Sequence, residues 1–82
     1  MDATVNINGV LSRGEHALIS VFDHGFLYGD GVYETLRTYD RRPFLFEPHL
    51  DRLRASARSL AIVVPVTDQE LAERVQDTMR TV

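Results

Sequence analysis

The chain has 82 residues, which allows one small domain with a modest core. Its hydrophobic fraction of 44% is that of an ordinary globular chain, and the absence of cysteine excludes disulfides and thiolate metal sites. A net charge of -3 argues against nucleic-acid or anionic-membrane surfaces, although it leaves room for one phosphate held by one arginine. No apolar run approaches the ~18 residues of a membrane span, and no signal-like region follows Met1, so a cytoplasmic location is expected. All nine basic residues are arginine, and lysine is absent.

In chain order, Thr4-Val5-Asn6-Ile7 alternates in polarity and Asn8-Gly9 breaks it before Val10-Leu11. Both turn positions tolerate positive φ, so two short antiparallel strands are expected over 3–7 and 10–12. Arg13 to His16 is a polar break, and Ala17 to Phe22 adds a short extended piece. Asp23 to Gly31 holds Gly25, Gly29 and Gly31 and reads as a shaped loop.

From Val32 to Tyr39 the period is two. Val32, Glu34, Leu36 and Thr38 share one face, while Tyr33, Thr35, Arg37 and Tyr39 share the other. Asp40-Arg41-Arg42 turns the chain and Pro43 to Phe46 returns as a partner strand. Pro48 suits the first turn of a helix over 47–60, with Leu50, Leu53, Ala57, Leu60 and Ala61 on its apolar side. Ile62-Val63-Val64 is a short extended connection. Thr67 and Glu70 form a capping box for a second helix striped by Leu71, Val75, Met79 and Val82. The expected fold class is α+β, an antiparallel β-sheet with two C-terminal helices packed on it. The last residues carry no helix stop signal, which predicts a chain cut within a longer protein.

Several residues invite chemistry. Glu34 points away from Tyr33 and reads as a structural hydrogen-bonder rather than a base. His24 and His49 suit hydrogen bonds at a loop and a helix start. With His16 they lack metal-ligand spacing, so no metal site is expected. Gly29-Asp30-Gly31 precedes a strand, and so reads as a turn rather than a phosphate-cradling loop. Arg37 reads as an edge ion pair before an anion contact.

The stretch His24-Gly25-Phe26-Leu27-Tyr28-Gly29-Asp30-Gly31-Val32-Tyr33-Glu34-Thr35-Leu36-Arg37, with His49-Leu50-Asp51-Arg52-Leu53 downstream, resembles the N-terminal small domain of the class IV aminotransferases. These are fold type IV, pyridoxal 5'-phosphate enzymes such as branched-chain and D-amino-acid transaminases. The resemblance implies that Arg52 holds the cofactor phosphate, a role suited to a guanidinium fork that stays charged at any working pH. The alternative is a solvated helix arginine, because Arg52 lies away from the Leu50–Leu53–Ala57 stripe. The resemblance further places Tyr33 and Tyr28 near substrate, with Thr35 beside Tyr33 in the pleat. A phenol there donates to a carboxylate while its ring lines an apolar pocket. Tyr33 has a plainer use as a cover for the sheet, and Tyr28, on the loop, ranks below it.

The family reaction needs a lysine ε-amine to hold the cofactor and move protons. No lysine exists here, so no catalytic residue is assigned within 1–82. The large cofactor-binding domain that carries the lysine is expected elsewhere, and this chain alone is expected to be inactive. The implied activity is amino transfer from a branched-chain or D-amino acid to a 2-oxo acid, in a homodimer. Thr35, where branched-chain enzymes often have glycine, and Arg41, at a hairpin that often has glycine, depart from the pattern. A 4-amino-4-deoxychorismate lyase of the same fold is the second reading. A small anion- or protein-binding domain without catalysis is the third.

Overall fold

A computed structural model describes residues 3–81. The chain divides into two compact units, residues 3–20 with 66–81, and residues 21–65. The α+β class stands, with its strands arranged as two separate two-stranded hairpins rather than one sheet.

In the first unit, β1 (Thr4–Ile7) pairs antiparallel with β2 (Val10–Arg13), with Ile7 opposite Val10 and Thr4 opposite Arg13. Asn8 and Gly9 have φ of 54° and 91°, the paired positive values that a tight primed turn needs. A 3-10 turn over Gly14–His16 follows. Residues 17–20 carry no regular structure. The helix α3 (Asp68–Arg80) starts at Thr67, whose hydroxyl accepts from the Glu70 backbone N–H at 3.1 Å and donates to Glu70 Oε1. The N-cap half of the expected capping box is therefore present, with Glu70 reaching back to the Thr67 hydroxyl rather than to its N–H. Asn6 ties β1 to α3 through Nδ2, which donates to Thr78 Oγ1 at 3.1 Å and to the Arg74 carbonyl at 3.4 Å. Leu71, Val75 and Met79 are half-buried on that helix, and Val82 lies outside the described residues.

The second unit opens with a difference. The region expected to be a shaped loop contains a short helix, α1 (His24–Tyr28). Asp23 caps it by accepting from the Phe26 N–H, and Gly29 ends it in the left-handed region at φ 70°. Residues 31–37 form no regular element, but their burial alternates, with Val32, Glu34 and Leu36 half-buried and Tyr33, Thr35 and Arg37 exposed, as period two requires. The expected long strand is mostly unpaired, however. Only β3 (Thr38–Tyr39) and β4 (Arg42–Pro43) form a ladder, extended by one bond from Phe44 N–H to the Arg37 carbonyl at 2.7 Å. The turn is Asp40-Arg41, both at positive φ, and Arg42 already belongs to the returning strand.

Leu45, at φ 54°, swings the chain from β4 into α2 (Phe46–Ser59), so Phe46 is helical rather than extended. Pro48 falls in the first turn, where its missing N–H leaves no bond unmade. The packed centre of this unit is the Leu50–Ala57 face of α2, the two buried hydrophobic side chains among the described residues. The helix closes with a Schellman pair, Ala61 N–H to the Arg58 carbonyl and Ile62 N–H to the Ala57 carbonyl. Ala61 therefore takes φ 55°, a position usually given to glycine, and leaves the apolar stripe. Leu60 caps the helix half exposed.

Candidate functional site

Arg52 and His49 lie three residues apart on α2, and so project from one side of the helix. Glu34 reaches them from the segment over residues 31–37. Arg52 donates from Nε to Oε1 at 3.2 Å and to Oε2 at 3.0 Å, and from Nη2 to Oε1 at 2.7 Å. His49 Nδ1 lies 2.6 Å from Oε1, which makes it the protonated ring nitrogen donating to the carboxylate. Its 3.2 Å approach to Arg52 Nη2 is then a contact between two donors rather than another bond.

The carboxylate is the sheltered member of the cluster. Its side chain is 12% exposed and that of His49 20%, whereas Arg52 remains 65% exposed. The Arg52 hydrogen bonds, then that of His49, hold the Glu34 carboxyl at about 2, against the opposing pull of its partial burial. Glu34 in turn raises the pKa of Arg52, which stays charged at every working pH. Both partners are thus ionised together.

The guanidinium is held by one edge. Among the described residues Nη1 makes no hydrogen bond, and the arginine that carries it is 65% exposed and already held by Glu34. An anion with several oxygens fits that free edge, since guanidinium N–H groups are fixed in a plane and bond phosphate oxygens in pairs.

The other candidates are placed differently. Tyr33 is 85% exposed, which removes it from the unit's own interior. Thr35 is exposed as well, where Glu34 is half-buried. Neither hydrogen-bonds to Arg52; Glu34, between them in sequence, does. Tyr28 is 70% exposed, its ring 4.7 Å from that of His24. His24 Nε2 meets Asp30 Oδ2 at 2.8 Å across the α1 turn. Arg37 forms no ion pair among the described residues, contrary to the edge pairing expected of it. No group of three or more His, Cys, Asp or Glu side chains is placed to hold a metal among the described residues. No described helix is long and apolar enough to cross a membrane.

Comparison with known proteins places this geometry in a family. The profile of amino-transferase class IV matches residues 31–82, the part that holds Glu34, His49 and Arg52. The chain belongs to the class IV aminotransferase family. It is 46% identical over 76 residues to a putative branched-chain-amino-acid aminotransferase of Methanocaldococcus jannaschii, covering 93% of this chain and 26% of that protein. It is 38% identical over 76 residues to an aminodeoxychorismate lyase of Bacillus subtilis, again 93% of this chain and 26% of the relative. A D-alanine aminotransferase of Listeria monocytogenes is 41% identical over 69 residues, 84% of this chain and 24% of its own. The chain thus spans about a quarter of the length of the curated relatives it matches.

Proposed function

We propose that this chain is the N-terminal small domain of a pyridoxal 5'-phosphate-dependent aminotransferase acting between an amino acid and a 2-oxo acid. Arg52 binds the cofactor phosphate. The observation carrying this reading is its guanidinium, clamped by Glu34 on one edge and free on the other. When bound, the cofactor supplies the electron sink for chemistry at the amino-acid carbon. The residues of this chain bind and orient. Arg52 holds the phosphate, and Tyr33, Thr35 and Tyr28 form a polar, aromatic wall beside the substrate, the phenols donating to its carboxylate.

The covalent step requires a lysine, which these 82 residues do not contain. The larger, cofactor-binding domain supplies it, and residues 1–82 alone do not transaminate. The intact protein works as a cytoplasmic homodimer in this reading. Relatives named for branched-chain and D-alanine substrates match at 46% and 41% identity, which supports a branched-chain or D-amino acid as the donor.

The test measures affinity for pyridoxal 5'-phosphate and for pyridoxal, which lacks the phosphate, in the intact protein and its Arg52→Ala variant. Arg52→Ala should weaken binding of the phosphorylated cofactor on the order of tenfold or more while leaving pyridoxal unchanged, the loss expected for a charge-assisted hydrogen bond. Equal losses for both ligands, or none, refute the assignment. The Bacillus relative supports the lyase as second reading. Release of 4-aminobenzoate without a 2-oxo acid acceptor would favour it, and turnover that requires the acceptor would favour amino transfer.

A further inference from the structure

Glu34 has a reach that neither the motif nor the helix periodicity announces. It sits between Tyr33 and Thr35, which are exposed where Glu34 is half-buried. The segment over residues 31–37 has no strand partner, apart from the single bond at the Arg37 carbonyl. Val32 and Leu36 are half-buried, and apolar burial is non-directional. Among the described residues, the hydrogen-bonded attachment of residues 32–36 to α2 is the carboxylate of Glu34, gripped by three guanidinium hydrogen bonds and one from His49. The same bonds use the Nε and Nη2 edge of Arg52 and leave Nη1 without one.

We propose that Glu34 is a positioning residue with two outputs. It fixes the plane of the Arg52 guanidinium for a phosphate, and it pins the backbone that carries Tyr33 and Thr35 to the phosphate-binding helix. His49 is its second support, holding Oε1 in place from the first turn of α2. The phosphate and substrate contacts then share one anchor, and loosening it disturbs both. This inference rests on Arg52 as the phosphate ligand, but it concerns orientation rather than charge.

The experiment is a double-mutant cycle on the intact protein, read as the ratio of pyridoxal 5'-phosphate affinity to pyridoxal affinity by equilibrium dialysis. Glu34→Gln keeps the shape and removes the charge that grips Arg52. It should lower the ratio on the order of tenfold, the size typical of losing a partner that orients a ligand-binding side chain. In an Arg52→Ala background Glu34→Gln should change the ratio no further, because the residue it orients is gone. Arg52→Lys retains the charge without the planar fork, and should lose the ratio nearly as far as Arg52→Ala. Glu34→Gln should also raise KM for the amino acid, through Tyr33 and Thr35.

The outcomes separate the two readings. An unchanged ratio in Arg52→Ala overturns the phosphate assignment itself. A ratio that falls in Arg52→Ala yet survives Glu34→Gln, or survives Arg52→Lys, leaves the phosphate ligand standing and overturns the positioning role. Additive losses in the double variant also overturn it. If Glu34→Gln does not fold, the Arg52→Lys comparison decides alone.

Discussion

The two units of this chain spend their polar groups differently. In the unit formed by β1, β2 and α3, the part-buried polar bonds close within the unit: Asn6 serves Gly9 in its own turn and Arg74 and Thr78 on α3. Each of the Asn6 partners is backbone or a neutral hydroxyl. In the unit of residues 21–65, the main polar cluster joins three ionisable side chains and, among the described residues, leaves Nη1 of an arginine without a hydrogen bond. The first arrangement is the kind that holds a fold together. The second fixes a charge in space, at a helix side away from the Leu50–Ala57 core, and that is where binding chemistry is expected.

The sharpest way to break this contrast is through the core. Leu50→Ala removes one of the two buried hydrophobic side chains and should cost about 2–4 kcal/mol in urea unfolding. The loss should fall on the second unit, so amide exchange should accelerate around Glu34 and along α2 while α3 amides keep their protection. Equal acceleration in both units would mean that they do not unfold separately.

A smaller effect probes the first unit. Asn6→Ala deletes a side chain that bonds both its own turn and α3, and should cost about 1–2 kcal/mol by thermal unfolding. Cofactor affinity of the intact protein should not change. A fall in affinity would show that the structural unit feeds the site.

Acid sharpens the same contrast. The Glu34 carboxyl is depressed below the ordinary 4.5 to about 2, so its contribution to stability is fully present above the ordinary value. That contribution is lost as pH falls through the window from 4.5 toward 2. Following the Glu34 carboxyl carbon by NMR should give a midpoint near 2, and a midpoint near 4.5 would mean the clamp is open in solution. The smallest expected change is a gain. Ala61→Gly relieves a φ of 55° at the end of α2 and should stabilise by up to about 1 kcal/mol in urea unfolding, with destabilisation refuting the helix end described here.

What was legible in the sequence follows the same division. Asn8-Gly9 and the Thr67–Glu70 box act within a few residues, and both elements stand where local rules put them. The alternation of residues 32–37 was equally legible, and it set Glu34 opposite Tyr33 and Thr35. Local rules failed where a residue took a conformation foreign to its type. Leu45 and Ala61 at positive φ moved the start and end of α2, and no glycine marked either place. The α1 helix had its signals in Asp23 and Gly29, which the density of glycines obscured. For the site, the family motif singled out Arg52 while helix periodicity left it unmarked. Its pairing with Glu34 spans 18 residues, and no periodicity reports a contact over that distance.

The most direct measurement is a crystal structure of the intact protein with pyridoxal 5'-phosphate bound. Arg52 Nη1 should lie within hydrogen-bond distance of a phosphate oxygen, roughly 3 Å, while Glu34 still holds the Nε edge. A phosphate bound by other groups, with Arg52 turned to solvent or released from Glu34, would contradict it.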